Sequence, residues 1–205
     1  MKKYFVTGIG TEIGKTITSA ILVEYLKADY WKPIQSGDLD HSDTNKVQNL
    51  VSNTQTKFHP ESYRLTQPFS PHYSAQLDDV TISLDEINIP ETDNNLIIEG
   101  AGGLMVPLNQ EDLIIDLIKK LGVEVILVSK NYLGSINHTL LSIEALNSQN
   151  IPIKGIIFNG ESTPASEDII LKRSGLNVVG RIPNLENVSK ETVLELTKTI
   201  NFNLK

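Results

Sequence analysis

The chain contains no cysteine. That excludes disulfides, thiolate nucleophiles and every metal site built on sulfur. No run of about 18 apolar residues occurs, so no membrane-spanning helix is expected. The N-terminus passes from Met1-Lys2-Lys3 directly into YFVTG, without an apolar stretch long enough for a signal peptide. Lys and Arg occur in no run longer than a pair, and the formal net charge is −7. A groove that follows a nucleic-acid backbone is therefore not expected. The expectation is a cytoplasmic protein with no nucleic-acid and no membrane partner. An anionic ligand must be held by a few placed cations and helix N-termini. Internal repeats and low-complexity linkers are also missing. What remains is 205 residues, 40% hydrophobic and 21% charged, enough for one substantial core.

Short apolar runs alternate with longer helical patterns. KYFVTG, YWKPIQ, NLIIEG, VEVILVS, IKGIIFNG and NVVGRIP read as strands, β-branched and nearly continuous in apolar character. Such runs suit a parallel sheet covered on both faces. Helices are expected over 15–27, 43–52, 112–121, 135–149, 166–174 and 189–201. The stretch 53–92 breaks the rhythm and is expected to wrap the surface. The fold class is α/β, a single domain with a doubly wound, mostly parallel sheet. In such sheets ligands bind beyond the carboxyl ends of the strands. TGIGTEIGKT, KPIQSGDLDHSD, EGAGG, KNYLGSINH, FNGES and RIPNLEN each follow a strand candidate there.

The first of these ends in Gly14-Lys15-Thr16, the closing triplet of a phosphate-binding loop. The usual spacing would put the first glycine at position 9, which is Ile9; the glycines are Gly8 and Gly10. The surroundings are those a phosphate loop needs, with a strand before and an apolar-faced helix after. Backbone N–H groups and the helix N-terminus would meet a polyphosphate. Lys15 would reach its terminal phosphates and Thr16 would ligate Mg²⁺. Lys32 follows the second strand, where Pro33 keeps it out of helical geometry; a lone lysine is more often a surface residue, and its place on the ligand edge tips the reading modestly toward the site. Asp43 opens a helix, and local pattern favours a cap or first-turn acid. Glu99 ends an apolar strand, where a carboxylate is expensive unless a cation meets it. It is a candidate Mg²⁺ ligand, with the glycines after it making room for phosphate. The four histidines show no metal-ligand spacing. Asn159 could pair with the edge of adenine or serve a turn before Gly160.

Taken together, these segments resemble the dethiobiotin synthetase family of biotin biosynthesis, within the P-loop NTPase superfamily. VTGIGTEIGKT, KPIQSG, SD, PFSPHYSA, IIEGAGGLMVPL, LGSINHTLL, IIFN and GRIPNL occur in the family's order. The five residues between Gly8 and Gly14 are that family's form of the loop. The resemblance implies one ligase domain over 1–205 that consumes ATP, CO₂ and 7,8-diaminopelargonate. A carbamate and a carbamic-phosphoric anhydride would lead to dethiobiotin, ADP and phosphate. It implies Lys32 and Lys15 as catalytic residues, and Thr16, Asp43 and Glu99 as Mg²⁺ ligands. Glu12, Ile13, Gly14, Lys15, Thr16 and Ile17 would form the ATP loop, joined by Asp43, Glu99, Gly100, Ala101 and Gly102. Asn159, Gly160, Pro183, Asn184 and Leu185 would surround adenine. Thr11 and Ser36 would contact the substrate. Leu133, Gly134, Ser135, Ile136 and Asn137 would reach the substrate of the other subunit in a homodimer. The chain departs from the family at Gly10, where an acidic residue is frequent.

Three other classes are weighed. Cobyrinate-type amide synthetases need a glutamine-hydrolysing domain with a nucleophilic cysteine, which this chain lacks. Partition-type ATPases carry an extra lysine early in the loop, where Gly10 and Thr11 stand here. A small-molecule kinase would leave phosphate on its product, where a cyclising ligase releases it.

Overall fold

A computed structural model describes residues 1–204. Seven strands form one parallel sheet: β1 (Lys3–Gly8), β2 (Asp29–Trp31), β4 (Phe58–His59), β6 (Leu96–Gly103), β7 (Glu124–Lys130), β8 (Ile153–Asn159) and β9 (Val178–Ile182). Their spatial order is β4-β2-β6-β1-β7-β8-β9, with every pairing parallel. Alternation along the strands divides the core between two faces. Tyr4, Val6, Ile97, Ile126 and Ile157 pack on one side against α1 (Lys15–Leu26), α2 (Asp43–Leu50) and α7 (Lys190–Thr199). Phe5, Leu96, Ile98 and Val125 face α4 (Ile114–Leu121), and Leu127, Ile156 and Phe158 face α5 (Ser135–Ser148) and α6 (Pro164–Ser174). The doubly wound α/β reading therefore holds. Among the described residues, no helix is long and apolar enough to cross a membrane.

β1 lies centrally, with β6 on one side and β7 on the other. Strand order reverses there, so the loops after β1 and β6 flank the crevice where such sheets bind ligands.

Several expectations need correction. YWKPIQ is not one strand. It breaks at Pro33, which has no N–H to give a ladder. Upstream, β2 stays in the main sheet; downstream, β3 (Ile34–Ser36) pairs in a separate two-stranded sheet with β5 (Tyr63–Leu65). The Pro33 carbonyl instead accepts Ser62 and Tyr63 N–H at 2.9 and 3.0 Å. The stretch 53–92 is more than a surface wrap. It supplies β4, β5 and α3 (Pro71–Leu77), and it buries Leu65, Ile82 and Ile87. The helix starts expected at 112 and 166 lie at Ile114 and Pro164, and β6 runs on to Gly103.

Candidate active site

The loop from β1 to α1 closes on Gly14, whose φ of 91° only glycine adopts without strain. A side chain there would also strike Asn159, whose amide donates to the Ile13 carbonyl at 2.8 Å. The loop is thus tied to the end of β8. Lys15 is nearly buried and its ammonium donates to the Gly10 carbonyl at 2.8 Å. Burial lowers its pKa to about 8; Glu99 and Asp43 oppose that effect and Lys32 adds to it. The Thr16 hydroxyl, one residue on, donates to Glu99 Oε1 at 2.8 Å.

Lys32 is the centre of the arrangement. It is buried, with Nζ 2.7 Å from Asp43 Oδ2 and 3.5 Å from Glu99 Oε1. Burial alone would lower its pKa, but the two carboxylates outweigh it and the net shift is upward. Burial pushes Asp43 up, yet Lys32 and Lys46 hold it below the usual range. Lys46 lies 2.8 Å from Asp38 and 3.5 Å from Asp43. Asp43 owes its place to two neighbours. Ser42 caps α2 by accepting Asn45 N–H at 3.2 Å, and Gln35 Oε1 accepts the Asp43 N–H at 3.1 Å. The cap is therefore Ser42, which leaves the Asp43 carboxylate free for Lys32.

The oxygens suit a hard cation. Among the described residues no three His, Asp or Glu side chains converge as a metal site. Thr16 Oγ1, Asp43 and Glu99 could still supply part of an octahedral shell completed by phosphate and water. The 2.8 Å between Thr16 Oγ1 and Glu99 Oε1 is close to the edge of an octahedron with metal–oxygen bonds of about 2.05 Å, roughly 2.9 Å.

Two cavities meet at this cluster. One of about 670 Å³ is lined by Thr11, Glu12, Gly14–Ile17, Lys32, Asp43, Glu99 and Gly102. The other, about 410 Å³, is bounded by Ser36, Pro68–Pro71 and Ala101. Thr11, Lys32, Asp43 and Gly102 line both. A third hollow of about 430 Å³ lies beyond β8 and β9, with Gly160, Pro183 and Asn184 on its wall.

A family model described as an AAA domain matches residues 2–192. The ATP-dependent dethiobiotin synthetase BioD of Christiangramia forsetii is 57% identical over 88% of this chain and 87% of its own length. That of Cytophaga hutchinsonii is 50% identical over 94% of each. The chain belongs to the dethiobiotin synthetase family. Solved structures that resemble it include the Pyrococcus furiosus cell division ATPase MinD, with TM-score 0.63 and 14% identity over 97% of this chain and 98% of that one. A ParA family ATPase from Chlorobium tepidum gives 0.60 and 14% over 96% and 98%. At that identity the likeness is one of fold.

Not every residue singled out by resemblance to dethiobiotin synthetases meets the cluster. Gly100 lies under Phe5, where a Cβ would fall 2.6 Å from the ring, so its small size serves packing. Ile13 and Leu185 direct their side chains to the core. Leu133–Asn137 line none of the three cavities, although Leu133 is fully exposed. The Ser135 N–H, at the start of α5, donates to the Tyr132 carbonyl at 2.9 Å. Two histidines bond close in sequence, His72 with Ser70 and His138 with Tyr132, whereas His59 reaches across to Asp29 on the neighbouring strand.

Sequence reasoning missed Tyr30. It is fully buried and donates its hydroxyl to Glu99 Oε2 at 3.0 Å. Burial, then the charge of Glu99, raises its pKa well above the ordinary phenol value. The available signal was the two-residue spacing from Lys32, which favours a shared side of an extended chain.

Proposed function

We propose that the protein is an ATP-dependent dethiobiotin synthetase, joining CO₂ to 7,8-diaminopelargonate and closing the ureido ring. The observation that carries this reading is the buried Lys32 at the junction of two cavities, one walled by the phosphate loop. Two ligands placed in them would have their reacting ends at a single ammonium. The names of the relatives point the same way.

In this reading the triphosphate follows the loop from Glu12 to Ile17, with its base toward Asn159, Gly160 and Pro183–Leu185. The diamine lies beside Thr11 and Ser36. The Ser36 hydroxyl is buried without a hydrogen-bond partner, as a ligand contact would leave it. One amine adds to CO₂, losing a proton and forming a carbamate. A carbamate oxygen attacks the γ-phosphorus and the bond to ADP breaks. The second amine then attacks the carbamoyl carbon, a proton is lost, phosphate departs and the ring closes. Carbamate and γ-phosphate are both anions, so bringing them together needs positive charge fixed beforehand. Lys32 and Lys15 hold it there. Mg²⁺ held by Thr16, Asp43 and Glu99 would neutralise the phosphate oxygens.

The test is to incubate the protein with diaminopelargonate, bicarbonate, MgCl₂ and ATP and weigh the products. Dethiobiotin with ADP and free phosphate is expected. Phosphate retained on the organic product would replace this reading with that of a kinase.

The same reading places the protein in the cytoplasm, beside ATP, which cell fractionation checks. It also makes the protein a homodimer whose site is completed by Leu133–Asn137 of a second copy. Leu133 and Leu141 are exposed leucines on or beside α5 that line neither Lys32 cavity, as such an interface requires. Leu133→Asp with Leu141→Asp should yield an inactive monomer on sedimentation. An active monomer would overturn the shared site.

A further inference from the structure

The Glu99 carboxylate is buried, and its two oxygens are treated differently. Oε1 faces the phosphate loop, accepting from Thr16 at 2.8 Å and lying 3.5 Å from Lys32. Oε2 points the other way and accepts from the Tyr30 hydroxyl at 3.0 Å. The two side chains come from adjacent strands, β2 and β6, paired as Tyr30 with Ile97 and Trp31 with Ile98. Tyr30 itself has no freedom to yield. Its ring is fully buried and packs against Phe58, ring centroids 6.0 Å apart. The phenol therefore fixes the rotation of the Glu99 carboxylate from within the sheet.

We infer that Tyr30 is a positioning residue that makes Glu99 a one-oxygen ligand, and so sets the preference of this site for Mg²⁺ over Ca²⁺. The inference rests on the proposed role of Glu99 in holding the metal. The physical reason lies in the two cations. Mg²⁺ demands near-ideal octahedral geometry at about 2.05 Å, whereas Ca²⁺ accepts two-oxygen carboxylates at roughly 2.3–2.6 Å. A hydrogen bond that occupies Oε2 and stops the carboxylate from turning favours the smaller ion. Without it, Glu99 can rotate to offer both oxygens. Partners one step removed from a metal commonly change its affinity by about 10–100-fold when lost.

The experiment is calorimetric titration of ADP into the full-length protein, at saturating Mg²⁺ and separately at saturating Ca²⁺. Wild type, Tyr30→Phe, Glu99→Gln and the double variant are compared, with melting temperature as a check on folding. Tyr30→Phe removes one oxygen and keeps the ring against Phe58. It should lower the ratio of Mg²⁺-supported to Ca²⁺-supported ADP affinity by about tenfold. In the Glu99→Gln background the same substitution should leave the ratio unchanged, because the carboxylate it orients is gone. An unchanged ratio in Tyr30→Phe, with Glu99→Gln weakening Mg²⁺ support, overturns the role of Tyr30 alone. An equal fall in both backgrounds also overturns it, since a general loosening of β2 would act that way. If Glu99→Gln leaves Mg²⁺ support intact, the metal role of Glu99 fails first and this inference falls with it.

Discussion

Two carboxylates lie buried in neighbouring strands, each 1% exposed: Asp29 opening β2 and Glu99 within β6. Burial alone does not distinguish them; their partners do. Asp29 is saturated by donors at its own edge of the sheet. Oδ1 takes Lys57 N–H at 2.9 Å and Asn94 at 3.2 Å, while Oδ2 takes Thr92 at 2.6 Å and His59 at 3.1 Å. It lines none of the cavities described here. Glu99 meets a lysine ammonium and two hydroxyls and opens onto 670 Å³ of space. A buried acid closed off by local donors holds chain segments together. One that faces cations and a cavity retains charge for something that arrives. Asp29 ties 57–59 and 92–94 to the sheet, and Glu99 prepares the crevice.

The largest effect expected on the Glu99 side comes from its cationic surroundings. Lys15→Ala should lower turnover by about two to three orders of magnitude, the usual consequence of losing one charge partner of the transition state. Its melting temperature should stay close to wild type, because the ammonium is held by a single loop carbonyl. Steady-state assay beside a thermal melt checks both. Near-normal turnover would detach the loop from the chemistry and erase the contrast with Asp29.

Next is the matched removal of charge at the two sites. Asp29→Asn should cost about 2–3 kcal/mol of stability, since it replaces an acceptor facing four donors by an amide, while turnover of the folded fraction is kept. Glu99→Gln should weaken Mg²⁺-dependent activity by about 10–100-fold. Acid tests the role of Asp29 directly. Burial pushes Asp29 up, but its hydrogen bonds win and hold it below its ordinary value of 3.8. The stabilisation it gives is complete above that unfolded-state value. It is lost as pH falls through the lower folded-state value. Melting of Asp29→Asn should therefore show a flatter decline than wild type on the acid side of about pH 4. Parallel acid limbs in the two proteins would deny Asp29 that role.

The contrast explains which parts of the protein were readable in advance. The loop from Gly8 to Thr16 and the strands around it are local patterns, and they fold where expected. Glu99 was legible because a carboxylate closing an apolar strand is unusual on its face. Tyr30 was not, since its bond to Glu99 spans 69 residues and depends on β2 pairing with β6. No local rule fixes which strands become neighbours. The elements within 53–92 were hidden for another reason. β4 and β5 have two and three residues, too few for alternation to register. Pro33 was read only as keeping Lys32 out of helical geometry, so neither the break in YWKPIQ nor the different sheets joined by its two halves was foreseen.

The smallest expected effect tests the same distinction within two adjacent residues. Local pattern made Asp43 a candidate cap or first-turn acid; the structure gives the cap to Ser42 and keeps Asp43 in the first turn. Ser42 is fully buried, and its hydroxyl accepts the Asn45 N–H that α2 cannot satisfy for itself. Ser42→Ala should therefore cost about 1 kcal/mol of stability and leave turnover within about twofold, because helix N-caps act on the helix alone. Asp43→Asn should do the reverse. It keeps the backbone contact to Gln35 and the shape of the first turn, but removes the negative charge 2.7 Å from Lys32. Turnover should fall while chemical denaturation shows a smaller change than its loss of activity suggests. Should Ser42→Ala lose activity as severely as Asp43→Asn, the placement of the whole helix start, rather than the Asp43 carboxylate, would govern the chemistry. The division between holding and reacting groups would then fail at the one place where they are neighbours in the chain.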